Sequence, residues 1–320
     1  MRARVVATTA VLTVATGCGL GWIDDHGIDD RGLPTLGVNG YRRLPVDDTT
    51  GLNEPYVVSE LGVDHTAPTA VRADDGTVRI WSTRAPLGMA EAAQIAYSEW
   101  GDRALPPAAP PRVVLVADQA WEQGRVAAPA VLIDGGQLVM YYQGGVATPA
   151  IGRAVSTDGV TWVKDAAPVL TDAEAPAAAR FAGVTHLLVT RPGQPGLWQA
   201  RGDGQAFTLD PAPIVVARPN LAEAFDGDAV REPSLVVHTS DTGRAVLLAF
   251  FVGTDLADQA PAVGYAASVD GVTWVRPDDP DPTLAASATG PTVVLTPSTG
   301  LMLFSERDRN RLAITAAVHP

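Results

Sequence analysis

Two of the glutamates that precede prolines in this 320-residue chain lie in Glu174-Ala175-Pro176 and in Arg231-Glu232-Pro233. Two carboxyl groups can perform general acid–base chemistry when one holds a proton and the other is ionised. Arg231 would favour the ionised form of a neighbouring carboxyl by charge proximity. The alternative for Arg231 and Glu232 is a solvated or mutually paired couple with no chemical role.

Other candidates precede further prolines. Asp64 and His65 lie before Pro68, Trp121 and Arg125 before Pro129, and Asp228 before Pro233. Asp64 could act as an additional carboxylate, and His65 as a base or ligand-binding group. Arg125 and Trp121 could bind a ligand, the latter by stacking. The structural alternatives are a hydrogen-bonded histidine and an aromatic ring that packs between sheets.

Other catalytic motifs are missing from the sequence. The five histidines show no metal-ligand spacing, and the single cysteine, Cys18, offers no zinc-binding cluster. There is no glycine-rich phosphate loop opening a helix and no Gly-x-Ser-x-Gly nucleophile elbow. We therefore predict neither a metal nor a cofactor.

The elements that must position these residues repeat along the chain. Residues 149–163 read PAIGRAVSTDGVTWV, and residues 261–275 read PAVGYAASVDGVTWV. Asp-Gly is a strong two-residue hairpin signal, because glycine accepts positive φ and aspartate bonds nearby turn amides. Trp162 and Trp274 follow these turns and are expected to pack against a neighbouring sheet.

A longer repeat combines a proline with a strand, a turn and a second strand. It begins at five prolines spaced 47–61 residues apart, namely Pro68, Pro129, Pro176, Pro233 and Pro291. This period is typical of propeller blades, and proline suits the first residue of a strand. We predict an all-β, five-bladed β-propeller whose last blade is completed by an N-terminal strand at residues 54–60, because an open edge would otherwise remain.

The Ser-x-Asp-Gly-x-Thr-Trp hairpins resemble those of the five-bladed propellers of glycoside hydrolase families 43, 32 and 130. Glu174-Ala175-Pro176 resembles the family-43 segment Glu-(Gly/Ala)-Pro, which implies that Glu174 is a general acid at the start of blade three. Arg231-Glu232-Pro233 resembles the Arg-Asp-Pro of family 32. Glycoside hydrolysis by inversion needs two carboxyls roughly 6.5–9.5 Å apart, and the resemblance makes Glu174, Glu232 and Asp64 the catalytic candidates.

Two positions depart from the family pattern. An aspartate is expected directly before the blade-start proline in blades one and two, whereas this chain has Ala67 and Ala128. Alanine can neither accept a proton nor orient a water molecule. Three functions stay open: a carbohydrate-binding propeller with an altered catalytic site, an active glycoside hydrolase or phosphorylase that uses Glu174, and a protein-interaction platform in the cell envelope.

The N-terminus predicts export. Arg2 and Arg4 precede an uncharged apolar run, and small residues stand before Cys18, as in a signal peptide of about residues 1–17. The segment resembles a lipobox, which implies lipidation of Cys18 and a location in the cell envelope, at the outer membrane or the cell surface. The alternative is an ordinary secretory signal with an incidental cysteine.

The remaining chain is divided into an acidic tether at residues 18–50 and one propeller domain at residues 51–320. The net charge of −13 disfavours nucleic acid, because binding by counterion release requires a basic face. The expected partners are an oligo- or polysaccharide and, through the lipid anchor alone, a membrane. We expect a monomer.

Overall fold

The computed structural model describes residues 40–43, 56–101, 109–239, 244–257, 260–284, 287–295, 300–308 and 310–319. Cys18, the predicted signal segment and most of the predicted tether lie outside these residues. The described residues form twenty β-strands and two short 3₁₀ helices, Ala90–Ala92 and Ala120–Glu122. None of their helices is long and apolar enough to cross a membrane.

The strands in chain order are β1 (Arg42–Arg43), β2 (Val63–Arg72), β3 (Val78–Pro86), β4 (Gln94–Trp100), β5 (Arg112–Leu115), β6 (Val126–Asp134), β7 (Gln137–Gly144), β8 (Ala150–Ser156), β9 (Val163–Lys164), β10 (Leu170–Thr171), β11 (Glu174–Phe181), β12 (Val184–Arg191), β13 (Gln194–Gly202), β14 (Phe207–Leu209), β15 (Ala229–Thr239), β16 (Ala245–Thr254), β17 (Pro261–Ser268), β18 (Thr289–Leu295), β19 (Gly300–Asp308) and β20 (Arg311–His319). They form five antiparallel sheets: β2–β5, β6–β10, β11–β14, β15–β17, and β18–β20 with β1. The first strands of neighbouring sheets, β2, β6, β11, β15 and β18, contact one another in a closed ring. This arrangement confirms the predicted all-β, five-bladed propeller.

Blade five is completed by N-terminal residues, at a position that differs in part from the prediction. Strand β1 pairs with the outer edge of β20, with Arg42 opposite Val318 and Arg43 opposite Ala317. Val58, inside the predicted segment 54–60, adds a single bridge to Ile314 on the same strand. The closing ladder therefore lies upstream of the predicted strand, because β20 offers its free edge to two separate pieces of the chain.

Each inner strand carries the same bulge at its start. The residue before the blade-start proline has a left-handed φ of 45–54° in all five blades, at Ala67, Ala128, Ala175, Glu232 and Gly290. The pairing of each inner strand with the second strand of its blade shifts at this point. A bulge of this kind redirects side chains at the end of a strand. The five bulges therefore give the blade-start residues one common orientation about the axis.

The Asp-Gly turns link neighbouring blades. In the first repeat, Asp158 Oδ1 accepts the N–H groups of Val160 and Thr161, which lowers the pKa of this carboxyl. The carbonyl of Gly159, in the same turn, accepts a 2.8 Å hydrogen bond from Trp81 Nε1 in blade one. The equivalent carbonyls of Gly204 and Gly271 accept hydrogen bonds from Tyr141 and Gln199. Each turn thus satisfies a buried donor of the preceding blade.

The two tryptophans that follow the turns also pack as predicted. The Trp162 ring meets Trp81 of blade one edge-on, with centroids 6.0 Å apart. Trp274 Nε1 donates to Gln199 Oε1 of blade three at 2.7 Å. Both side chains therefore bind the preceding blade.

Blades two and four share an aromatic ring packed on glycines. Trp121 lies against Gly144 and Gly152 of blade two, and Phe225 lies against Gly253 and Gly264 of blade four. A Cβ atom at Gly152 would lie 2.5 Å from Tyr142 Cζ and 2.7 Å from Trp121 Cη2. Neither ring can retreat easily, because Tyr142 is fully buried and Trp121 Nε1 bonds to Gln119.

We expect Gly152→Ala to destabilise the propeller by about 1–3 kcal/mol, the usual cost of overpacking a dense core. Urea denaturation followed by tryptophan fluorescence measures the loss. Gly101→Ala is the matched control, since a Cβ there meets nothing within 4 Å. Equal stability of the Gly152 and Gly101 variants would show that the aromatic pair is loosely packed.

The same two blades each bury an acidic side chain beside the aromatic ring. Glu122 is fully buried and accepts hydrogen bonds from Lys164 Nζ at 2.6 Å and Tyr142 Oη at 2.7 Å. Asp226 is also fully buried and accepts from Arg218 Nε and Arg276 Nη1, both at 2.8 Å. Lys164 and Arg276 occupy matching places, each directly after a Thr-Trp-Val sequence. The repeat therefore includes a buried ion pair.

Candidate functional site

The five blade-start prolines surround the propeller axis. They and the residues that follow them line a narrow axial channel of about 50 Å³. This volume is far below that of usual ligand pockets, about 300–1,000 Å³. The channel itself is therefore too small for a sugar, and a ligand near the axis would lie at the level of the bulges.

A larger cavity of about 400 Å³, here called the funnel, lies at that level. It is off-centre and lined mainly by blades three and four. Glu174, Arg231 and Glu232, which were predicted as site residues, all line it, together with Asp228. Its volume lies within the usual range for ligand pockets.

Glu174 begins strand β11 and is partly exposed in the funnel. Arg125, from the loop before β6, lies close enough to interact with it electrostatically. Burial lowers the pKa of Arg125, and the charge of Glu174 opposes that shift. The Arg125 guanidinium is oriented by the carbonyls of Ala90 and Gly145, at 3.3 and 3.4 Å. Two of the predicted residues, Arg125 and Glu174, thus influence each other electrostatically at the boundary of blades two and three.

Glu232 occupies the bulge position of blade four, and its carboxylate makes two contacts. Oε2 accepts the N–H of Gly290 in blade five at 2.6 Å. Oε1 lies 3.5 Å from Arg231 Nε. The second contact matches the mutually paired couple considered from the sequence. The first was not foreseen, and it makes Glu232 a link between two blades.

Glu232 makes this link because the second strand of blade four lacks the hydrogen-bond acceptor that other blades have at the same place. The bulge N–H groups of Ala67, Ala128 and Ala175 bond to Ser305, Thr83 and Gln143, each on the second strand of the preceding blade. The equivalent residue of blade four, opposite Arg231 in the register, is Val252. Valine cannot accept a hydrogen bond, so the acceptor for Gly290 comes from Glu232 instead.

Ala67 and Ala128 occupy the bulge positions of blades one and two. These are the positions at which the family pattern has aspartates. Their methyl groups provide no proton acceptor, and neither residue lines the funnel. In the described part of the chain, Glu232 is the only one of the five bulge residues that carries a carboxyl group.

Asp64, His65 and Trp121 do not line the funnel. Asp64 Oδ1 accepts the N–H of Leu312 in blade five at 2.6 Å. Trp121 is clamped against Gly144 and Gly152. Asp64 and Trp121 therefore make contacts within the propeller scaffold, away from the residues that line the funnel.

His65, in strand β2 of blade one, is fully buried. Its Nδ1 lies 3.2 Å from Ser82 Oγ, and its Nε2 lies 3.5 Å from Glu60 Oε2. Burial lowers the pKa of His65 to about 4, although Glu60 opposes the shift. The order serine, histidine and carboxylate is that of a nucleophilic triad. However, Ser82 is only 2% exposed, and Glu60 is engaged by Arg84, so no substrate can reach the hydroxyl.

Three polar funnel residues were missed in the sequence. Gln143, Thr190 and Gln194 line the cavity from blades two and three. Gln143 and Thr190 stand opposite Ala127 and Glu174 in the registers of their blades. A polar side chain on the second strand of a blade, opposite the blade start, could therefore have identified Gln143 and Thr190 from the sequence. No aromatic residue is among the described residues that line the funnel.

The funnel can form many hydrogen bonds but has no stacking platform. Three carboxylates and one guanidinium line it, together with two amides and one hydroxyl. Among the residues that the structure describes, no group of three or more His, Cys, Asp or Glu side chains could hold a metal ion. The arrangement suits a small ligand with several hydroxyl groups.

The sequence matches no protein-family profile and no curated protein. Solved structures, in contrast, share the fold. A glycosyl hydrolase from Bacteroides ovatus is 12% identical with a TM-score of 0.66, covering 91% of this chain and 96% of its own. A putative glycosidase from Bacteroides thetaiotaomicron is 14% identical with a TM-score of 0.66, covering 90% and 98%.

Two further structures carry the family names expected from the hairpins. A thermostable family-43 glycoside hydrolase is 13% identical with a TM-score of 0.59, covering 81% of this chain and 90% of its own. A structure from the GH130 family, which contains mannoside phosphorylases and glycoside hydrolases, is 13% identical with a TM-score of 0.62, covering 89% and 95%. The predicted resemblance is confirmed for the fold, and identities this low show no more than the fold.

Proposed function

We propose that this protein is a carbohydrate-binding propeller whose funnel holds a glycan without cleaving it. The observation that carries the proposal is the state of the bulge ring. Alanine stands at both positions where the family pattern has aspartates, and the one bulge carboxylate, Glu232, is engaged by Gly290 and Arg231. A general base must be free to accept a proton from water.

The charge of the funnel supports a neutral glycan. Glu174, Asp228 and Glu232 outnumber Arg231 among the charged side chains that line it. Such a site repels a uronate, sulfate or phosphate group. Carboxylates and amides accept hydrogen bonds from sugar hydroxyls, and these bonds fix the orientation of a bound ligand. With the predicted lipidation of Cys18, this binding would take place at the cell envelope.

An active glycoside hydrolase is the second candidate, because Glu174 and Glu232 line the same cavity. In that reading Glu174 would protonate the leaving group, and Glu232 or Asp228 would activate water. Glu232 would first have to release the N–H of Gly290. This requirement makes catalysis the less favoured of the two functions.

The test measures binding and product release separately on arabinan, xylan, fructan and β-mannan, with their oligosaccharides. We expect a saturable ligand and no release of sugar. Glu174→Gln should weaken binding about tenfold or more, the usual effect of losing a charge-assisted hydrogen bond. Isothermal titration calorimetry gives the affinity, and reducing-end analysis gives the turnover.

Glu91→Gln is the matched control, because Glu91 is exposed and lies outside the funnel. It should bind as the wild type does. Sugar release by the wild type that disappears in Glu174→Gln would overturn the binding proposal in favour of the hydrolase. If the wild type neither binds these glycans nor releases sugar from them, both carbohydrate functions are contradicted.

A further inference from the structure

Blades two and four have closely similar third strands, but the chain beyond them differs. In blade two, β9 and β10 cover the edge of β8, and five residues, 165–169, connect them. In blade four, Val275 and Leu284 make the equivalent bridges to the edge of β17. Seven residues, 277–283, separate Arg276 from Leu284. The connection in blade four is thus two residues longer.

The side chains that fill this place in blade two are also replaced. Arg153 and Asp165 form an ion pair there, with Nη1 and Oδ2 3.0 Å apart. The equivalent residues of blade four are Tyr265 and Pro277. The longer connection and the lost ion pair leave a lateral cavity of about 140 Å³, lined by Tyr265, Arg276, Pro277 and Thr283 among others. No residue lines both this cavity and the funnel.

The lateral cavity presents an unused buried hydroxyl. Thr283 is 2% exposed, and its Oγ1 has no hydrogen-bond partner among the described residues. An unsatisfied buried polar group costs about 1–3 kcal/mol. A polar ligand in the cavity would remove that cost.

The charges of the cavity wall are balanced. Arg218 and Arg276 are both paired with the buried Asp226, and Asp279 and Asp281 also line the cavity. The two guanidinium groups therefore provide no net positive charge for an anion. A neutral ligand that both donates and accepts hydrogen bonds fits this set best.

The size of the lateral cavity and its apolar walls restrict the class of ligand further. Phe225, Phe251 and Tyr265 line the cavity beside the charged groups. Its volume of about 140 Å³ is close to the ~150 Å³ of an engineered cavity that binds benzene. It therefore has room for one six-membered ring, whose substituents would extend towards the open side of the cavity. A ring with apolar C–H faces and polar hydroxyls is a sugar.

We propose that the lateral cavity of blade four is a second binding site, which takes one neutral sugar residue. Thr283 would hydrogen-bond a sugar hydroxyl, Asp279 and Asp281 would accept from others, and the aromatic walls would contact the ring. The site is separate from the funnel and does not depend on its function.

The test uses D-glucose, D-galactose, D-mannose, D-xylose and L-arabinose as separate probes in ligand-observed NMR titrations. At least one sugar should bind the full protein saturably at millimolar concentration. Glu91→Gln, an exposed substitution outside both cavities, should bind it with unchanged affinity. The double variant Tyr265→Arg/Pro277→Asp, which restores the ion pair of blade two, should abolish this binding.

Thr283→Val keeps the shape of the side chain and serves as the second variant if the double variant does not fold. It should weaken binding about tenfold through the lost hydrogen bond. The proposal is overturned if no sugar binds, so that the cavity holds water only. It is equally overturned if the double variant or Thr283→Val binds as tightly as the wild type, since the sugar would then bind elsewhere.

Discussion

Replacing Asp226 with asparagine is expected to destabilise the propeller by about 3–5 kcal/mol, the usual cost of removing one partner from a buried ion pair. The Asp226 side chain is fully buried between Arg218 and Arg276, whose side chains are only 14% and 20% exposed. Burial already lowers the pKa of Arg276, and Asp226 opposes that shift. Without the carboxylate, two guanidinium groups would remain largely buried and uncompensated.

Urea denaturation of the purified protein gives the free energy of unfolding directly. Asp74→Asn, an exposed substitution of the same type, should change it by no more than about 0.5 kcal/mol. Glu122→Gln probes the copy of the pair in blade two and should cost less, because Lys164 would lose Glu122 but keep Asp118. A loss below 1 kcal/mol in Asp226→Asn would contradict the buried-pair argument, because water would then have to reach the arginines.

Acid should destabilise the protein, and between pH 6.5 and pH 4 His65 should contribute to this loss. Burial lowers the pKa of His65 to about 4 in the folded state, whereas a histidine in an unfolded chain has a pKa near 6.5. Between these values the unfolded chain binds a proton that the folded chain does not. Stability is therefore complete above pH 6.5 and falls as the pH drops towards 4, by about 3 kcal/mol in total.

Other groups act in the same direction. The pKa of His186 is lowered, chiefly by burial. Hydrogen bonds to Arg84 lower the pKa of Glu60. A carboxyl with a lowered pKa also loses stability as the pH falls through its folded value. The acid unfolding should therefore continue below pH 4.

The free energy of unfolding, measured in urea at steps between pH 7 and pH 4, checks this prediction. His65→Gln should show a shallower decline over the same interval, whatever its stability at pH 7. Identical pH slopes for the variant and the wild type would contradict the assignment to His65. The test is the pH slope of the free energy of unfolding and not its value at pH 7, because glutamine at a fully buried position is itself destabilising.

Much of the architecture could be predicted from local patterns. Asp-Gly turns and strand-start prolines act within a few residues, so the five units and their hairpins are visible in the chain itself. Glu174 could be assigned to the site for the same reason, since it opens a strand at a known place in a repeat. Strand β1 could not be predicted from the sequence, because its two residues, Arg42 and Arg43, form no pattern. Their pairing depends on the free edge of β20.

The roles of individual side chains depended on contacts between blades. Asp64 and His65 precede a blade-start proline just as Glu174 does, yet Asp64 bonds to Leu312 and His65 is buried within blade one. Glu232 binds Gly290 only because Val252 leaves that N–H without its usual acceptor. Such relations join residues far apart in the chain, and no local spacing encodes them.

The sequence by itself thus determined the number of blades, the place of each blade start and the presence of carboxyls at two of them. Those features follow from turn and strand chemistry within each repeat. The tertiary structure decided which carboxylates line the funnel, which one is engaged by a neighbouring blade and where the copies diverge to leave the lateral cavity. These outcomes arise from register and packing between blades, which are set only when the ring closes.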